Sequence, residues 1–275
     1  MNPTFNIQAP DINYTSAHLV IEAGPRGISI VISDTSNCFV AVVLYTFPAT
    51  FSAAALSDKF DEVIKGEPVL QHAFKKTDII WTFTESILVP PAYMETASNG
   101  DLLELIFGDL NNNTVSTDFL YKHNLHNVYR IPLEICNSFK RYFPAASYSH
   151  QYSILPQLVN RPGNHLLVVF YDSGLTLVLC KAGNLQVIRN FHYQHPADAA
   201  YYLLNVCDNF EINNEDIILH LSGMIDKGSA LYTELYKYFL NIQFEELPEH
   251  AGYIDAVKDQ PHHYFSHSFA IAACV

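Results

Sequence analysis

The stretch HLLVVFYDSGLTLVLCKAGNLQVIRNFHYQHPADAAYYLLNVCDNFEINNEDIILHL (His165–Leu221) decides the fold. It opens with an apolar run, His165 to Asp172, that stops at Ser173-Gly174. Leu175 to Cys180 is a second run of strand composition, Lys181-Ala182-Gly183-Asn184 a turn cluster, and Leu185 to Tyr193 a third strand. Pro196 suits the first turn of a helix, where its missing N–H costs nothing. Ala200, Leu203, Leu204 and Cys207 then mark one helical face. Asp216 to Leu221 is a fourth strand and closes on Ser222-Gly223. The order is strand, strand, strand, helix, strand.

Working outward, the same order occurs near the start of the chain. His18 to Glu22 is a short apolar run stopped by Gly24-Pro25-Arg26-Gly27. Ile28, Ile30 and Ile32 alternate through Ser33, Asp34-Thr35-Ser36-Asn37 is a turn cluster, and Phe39 to Phe47 is a third β-rich run. From Phe51 to Ile64 the spacing becomes helical, with Leu56, Phe60, Val63 and Ile64 on one face and Gly66 as the stop. Asp78 to Phe83 is the fourth strand. The recurrence predicts an internal duplication, with lobes over 1–160 and 161–275, an inserted segment at about 95–160, and Arg161-Pro162-Gly163-Asn164 as the linker.

Between the copies, Leu102, Leu105 and Ile106 predict a helix, Asn111-Asn112-Asn113 a loop, and Leu120 to Ile131 an extended segment. Pro132 to Phe143 is helical, with Ile135, Phe139, Tyr142 and Phe143 inward. After Gly223, Leu231, Leu235, Tyr238 and Phe239 form the buried stripe of a helix over Ser229 to Leu240. A last strand covers Ile242 to Leu247, and a helix docks at Phe265 to Val275. Residues 1–16, polar and rich in Asn and Pro, serve as a lead-in.

Composition narrows the function classes. Apolar residues make up 49% of 275, enough for a substantial core. The net charge of −13, from 28 acids and 15 bases, opposes sequence-independent nucleic-acid binding and affinity for anionic membranes. The five cysteines are scattered and never form C-x-x-C, which suits free thiols packed as small hydrophobes. Met1 to Pro10 has neither the basic nor the apolar part of a signal peptide, and no apolar run reaches the roughly eighteen residues of a membrane span. A cytoplasmic protein is expected, in which the sequons at Asn13 and Asn112 carry no glycan.

Two units of this order, each with an acid and a glycine at its first turn, resemble the actin, hexokinase and Hsp70 superfamily of ATPases. More narrowly, the whole chain resembles an uncharacterised bacterial family of unknown function with an actin-like ATPase fold. The likeness is carried by His18 to Gly24, Leu166 to Gly174 and Ile217 to Gly223. It implies an α/β, duplicated, ribonuclease H-like fold: two lobes, each a mixed five-stranded sheet flanked by helices. It also implies a cleft in which two glycine turns hold phosphates through backbone N–H groups, aspartates organise Mg²⁺ and the attacking water, and a glycine pair lies against the adenosine.

By that resemblance the nucleotide-binding positions are Glu22, Gly24, Asp172, Ser173, Gly174, Ser222 and Gly223, with Asp172 the one catalytic candidate. The match is partial. Glu22 is one methylene longer than the usual aspartate, and Pro25 stands where a hydroxyl residue is usual. Proline has no N–H, so one phosphate donor is lost. A hydrogen bond to a charged group is worth about 1.5–3 kcal/mol, so the loss weakens binding roughly ten- to a hundredfold. Ser222-Gly223-Met224 offers one glycine and a bulky follower. The expectation is a vestigial nucleotide site with no cofactor, in a non-catalytic protein that binds an unknown partner or itself. The alternative is an active Mg-ATP-binding ATPase or small-molecule kinase.

Other chemistry is weaker. Gly223 to Gly228 has phosphate-loop spacing, but Ser229 stands where lysine is required. His263 and His267 are spaced as helical neighbours, and His192/His195 and His123/His126 lie three apart, yet none has a zinc-ligand pattern. Hydrogen-bonded histidines are the simpler reading. Tyr142, Phe143, Tyr148, Tyr152, Tyr201 and Tyr202 are either interface anchors or core filler, and core is favoured.

Overall fold

The structure is a computed structural model that describes residues 1–47, 52–94, 99–109, 111–159, 161–172 and 174–275. The chain divides into two compact units: Met1–Ser153 with His250–Asp259 and Val275, and Ile154–Glu249 with Gln260–Cys274. The return of His250–Asp259 to the first unit is a feature that a single cut near residue 160 does not provide.

The first unit begins with β1 (Phe5–Gln8), β2 (His18–Gly24), β3 (Gly27–Ser33), β4 (Cys38–Thr46), α1 (Ala53–Gly66) and β5 (Lys76–Trp81). Then come β6 (Ser86–Val89), α2 (Pro91–Met94), α3 (Asn99–Phe107), β7 (Asn113–Leu120), β8 (Leu125–Pro132), α4 (Leu133–Tyr142) and β9 (Ser147–His150). Strands β4-β3-β2-β5-β9 lie side by side, with β3 antiparallel to both neighbours and β2, β5 and β9 parallel. Alternation explains the burial: Leu19, Ile21 and Ala23 of β2 join Ile28, Ile30 and Ile32 of β3 on one face. Leu56, Phe60, Val63 and Ile64 of α1 and Ile135 and Phe139 of α4 pack on that face. Phe139 meets Phe60 and Trp81 edge-on, at 5.2 and 5.0 Å. Ser52 caps α1 by accepting from the Ala55 N–H at 3.2 Å; Phe51, where the helical spacing begins, lies outside the described residues.

Within the same unit, β6-β8-β7 form a separate three-stranded sheet under α3, with a small core of Val89, Leu103 and Val128. Leu120 to Ile131 is therefore not one extended run. It is the end of β7, a turn at Tyr121–Asn124 and strand β8, with Asn124 in the left-handed region at φ 50°. Asn113, expected in a loop, starts β7.

The chain leaves the first unit within α5 (Gln151–Leu158) and builds β10 (His165–Tyr171), β11 (Gly174–Lys181), β12 (Asn184–His192), α6 (Pro196–Asn209), β13 (Ile218–Gly223), α7 (Ala230–Tyr236) and β14 (Asn241–Phe244). The sheet order is β12-β11-β10-β13-β14, with β11 antiparallel to both neighbours and β10, β13 and β14 parallel. Order and direction match β4-β3-β2-β5-β9 strand for strand. Leu166, Val168 and Phe170 of β10 face Leu203 of α6 and Leu235 and Phe239 at α7. Leu167, Val169 and Val178, on the opposite face, are buried as well, which is why β10 reads as continuously apolar. Tyr238, expected in the stripe, is exposed.

The chain then returns to the first unit. Gly252–Tyr253 (β15) pairs with β4, followed by α8 (Asp255–Lys258), and the polar lead-in contributes β1 to another stretch of β4. The first sheet thus carries the expected five strands plus these two. The last helix, α9 (Ser266–Cys274), belongs to the second unit. No helix among the described residues is long and apolar enough to cross a membrane.

Candidate functional site

Both first hairpins are tight. Gly24 pairs with Gly27, so only Pro25 and Arg26 form the first turn. Gly27 has φ 146°, and a Cβ there would stand 1.9 Å from the Tyr45 carbonyl oxygen. The Arg26 carbonyl is taken by the Phe47 N–H at 2.9 Å. In the second hairpin Tyr171 pairs with Gly174, and Asp172 follows Tyr171 in the turn. Asp172 is exposed, and Ser173 lies outside the described residues.

The two acids do not occupy corresponding positions. Glu22 lies inside β2, buried, opposite Ser29 and Ile80. Counted from the closing pair, its counterpart in the second unit is Val169, opposite Thr176 and Ser222. Asp172 corresponds instead to Pro25. Its charge raises the Tyr193 hydroxyl pKa, after burial, which is the larger cause. The Tyr193 hydroxyl donates to the Tyr171 carbonyl at 3.2 Å.

The glycines assigned to ligand approach are packed by the protein itself. A Cβ on Gly24 would lie 2.0 Å from Thr82 Oγ1. Gly223, at φ 83°, brings its backbone against β10, where a Cβ would stand 2.1 Å from the Phe170 carbonyl oxygen. That carbonyl accepts from the Met224 N–H at 2.8 Å. Ser222 is fully buried, with its Oγ 2.7 Å from Ser266 Oγ, 3.0 Å from His267 Nδ1 and 3.1 Å from the His263 carbonyl. The side chain that the sequence places against adenosine thus anchors the start of α9.

Within the second unit the sheet face opposite α6 and α7 carries a cavity of about 530 Å³. Parity in the parallel register puts Leu167, Ser222, Gln243 and Glu245 on this face, and all four line the cavity, with Ser266 and His267 of α9. Two histidines continue inward from Glu245. His220 Nδ1 lies 2.7 Å from Glu245 Oε1, a close contact outside hydrogen-bond geometry, and its Nε2 lies 2.9 Å from His165 Nδ1. His165 Nε2 reaches the Pro162 carbonyl at 2.9 Å, and Arg161 approaches the other Glu245 oxygen at 3.7 Å. Sequence reading missed this chain. Its one signal is a histidine in each of two otherwise apolar strands, His165 and His220.

Several other candidates have structural partners. His263 Nε2 bonds the Ile225 carbonyl at 2.7 Å, and burial lowers its pKa. His195 and Asp198 cap α6, with the Asp198 carboxylate accepting from the His195 and Gln194 N–H groups. Ser229 is the N-cap of α7 and accepts from Tyr232 N–H at 3.1 Å. Tyr152 is buried, Tyr148 stacks on Trp81 at 5.9 Å and Tyr202 on Phe191 at 4.6 Å, while Tyr201 is exposed. Most of the aromatic group is core.

No curated protein matches the chain in sequence. A structure from Bacteroides thetaiotaomicron VPI-5482, a protein with actin-like ATPase fold and unknown function, matches with TM-score 0.77 at 19% identity, covering 96% of this chain and 100% of that one. The PilM-PilN type IV pilus biogenesis complex matches at 0.63 and 13% identity, over 93% and 96%. The ethanolamine utilization protein EutJ from Carboxydothermus hydrogenoformans matches at 0.54 and 8%, over 97% and 92%. At these identities the likeness establishes an actin-like ATPase fold and nothing about activity. The family model described as a protein of unknown function (DUF3822) matches residues 8–242, so the chain belongs to that family.

Proposed function

For this member of the DUF3822 family we propose a non-catalytic, cytoplasmic actin-like-fold protein, a degenerate ATPase that works by binding or assembling protein partners. The observation that carries the reading is the use of Ser222 and Gly223. One anchors α9 and the other packs on the Phe170 carbonyl, so neither is available in the role the superfamily gives these positions. The first turn supports the same reading, because Pro25 has no N–H to offer a phosphate and the Arg26 carbonyl is committed to Phe47. The matching sheet orders support an internal duplication from which two phosphate turns have been inherited and one altered. The PilM-PilN match gives a precedent in this fold for a partner complex.

An active ATPase or small-molecule kinase is the second reading, favoured by the exposed Asp172 at a tight turn. Co-purification of the tagged protein from its own host, with and without added Mg-ATP, tests the first. A stoichiometric partner, or a self-assembled species, retained equally in both supports it. A monomer that turns over ATP overturns it.

A further inference from the structure

The matching sheet orders single out one edge of the second unit. In the first sheet the edge strand β4 is covered twice: β1 pairs antiparallel with Ala41–Leu44, and β15 pairs parallel with Cys38–Phe39. Strand β12 holds the same place in the second sheet, and among the described residues it pairs only with β11. Its register is regular from Val187 to His192, the one irregularity lying nearer the turn that joins it to β11. Asn184 to His192 contains neither proline nor lysine, the residues that commonly guard such an edge.

The chemistry along this edge differs from that of the chain as a whole. From Gly174 to His195 there are two bases, Lys181 and Arg189, and no acid, in a chain of net charge −13. Lys181 is committed to the Phe210 carbonyl at 2.7 Å. Arg189 is exposed and takes part in none of the ion pairs among the described residues. Two residues further along the same face, Phe191 stacks on Tyr202 at 4.6 Å, and Tyr202 meets Tyr201 at 5.8 Å. Tyr201 is 63% exposed, so an aromatic row runs from the strand out to solvent. Arginine and tyrosine are the residues that anchor partners most often.

We infer that the outer edge of β12 takes an extended, acidic segment of a protein partner as an added strand, with a carboxylate at Arg189 and, two residues away, an apolar side chain on Tyr201 and Tyr202. The spacing follows from strand periodicity, which puts Arg189 and Phe191 on one face. Backbone hydrogen bonds along the edge supply affinity, and the two side-chain positions supply selection. The chain holds its own precedent in β1, which seats on β4 with Phe5 and Ile7 at alternate positions. A second copy is the poorer occupant, because pairing β12 with itself sets one acid-free edge against another and offers neither Arg189 a carboxylate. This surface deepens the partner-binding role proposed above and rests on it.

The probe is a capped, fluorescent eight-residue peptide with threonine at odd positions and glutamate and phenylalanine by turns at even ones. Anisotropy titration into the whole chain should show saturable binding, with hydrogen exchange slowed in Val187–His192. Arg189→Glu should weaken binding about tenfold, and a peptide with lysine for glutamate should prefer that variant to the wild type. Tyr201→Ala, a change at an exposed position, should weaken binding without altering stability. No binding up to about 1 mM, protection at another site, or equal affinity of the two peptides for the wild type would overturn the inference. A dimer of the chain joined through β12 would also overturn it. A partner that co-purifies equally with the wild type and with Arg189→Glu would overturn this surface while leaving the binding role standing.

Discussion

The hydroxyl of Ser222 lies 3.0 Å from Nδ1 of His267, joining the end of β13 to the first turn of α9 across 45 positions of sequence. With Ser266 Oγ and the His263 carbonyl it forms a closed polar cluster around a fully buried oxygen. Ser222→Ala removes the partner that Ser266, His267 and the His263 carbonyl share, at a cost of about 1–3 kcal/mol. Chemical denaturation should show that loss, and limited proteolysis should show faster cleavage between Leu247 and Ser266.

Gly223→Ala tests whether this glycine serves the backbone. At φ 83°, with a Cβ 2.1 Å from the Phe170 carbonyl oxygen, the substitution must push β13 from β10. A loss of at least about 2 kcal/mol is expected, because the blocking atom belongs to a rigid strand. Gly228→Ala, which meets no atom within 4 Å, is the control and should be near neutral.

Arg130 holds α3 to the three-stranded sheet. Its guanidinium is buried, pairs both Glu85 oxygens at 2.5 and 2.9 Å, and donates to the carbonyls of Phe107, Gly108 and Asp109 at 2.8–2.9 Å. Arg130→Lys cannot supply the planar fork. Glu85 is half-exposed and regains water, so the loss falls mainly on the three carbonyls, about 2–3 kcal/mol. Hydrogen exchange in Asn99–Phe107 should accelerate more than in α1.

His150 supplies an acid-sensitive element. Its Nε2 lies 2.8 Å from the Phe83 carbonyl and its Nδ1 accepts from the Tyr152 N–H at 3.1 Å, so the neutral ring satisfies both contacts. Burial lowers its pKa from 6.5 to about 4. A histidine held neutral in the fold contributes stability that is complete above the unfolded value and lost as pH falls from 6.5 toward 4. The loss amounts to about 3 kcal/mol at most. Denaturation midpoints measured across that window should fall in the wild type and fall less in His150→Gln.

The order strand, strand, strand, helix, strand was legible because most of these strands are apolar runs bounded by glycine, proline or an Asx cluster, and each helix keeps one apolar face, as Leu56, Phe60, Val63 and Ile64 do; the polar β9 was not legible. What escaped depends on distant partners. β1 and β15 become strands only by pairing with β4, and short polar segments carry no such signal alone. The β7–β8 hairpin was hidden because Tyr121–Asn124 contains no glycine or proline; Asn124 takes the left-handed conformation instead. At the site, Glu22 and Asp172 look alike as acid-x-glycine triplets. Register separates them: Gly24 ends a strand before its turn, whereas Gly174 begins one after it. His165 and His220 meet across 55 residues, a contact that no local pattern announces.

Isothermal titration of the purified chain with Mg-ATP, alongside Asp172→Ala, bears most directly on the claim that the nucleotide positions have been taken over by packing. Affinity weaker than about 1 mM, unchanged by the substitution, is the expected result. A dissociation constant below about 100 μM that disappears in Asp172→Ala would contradict it.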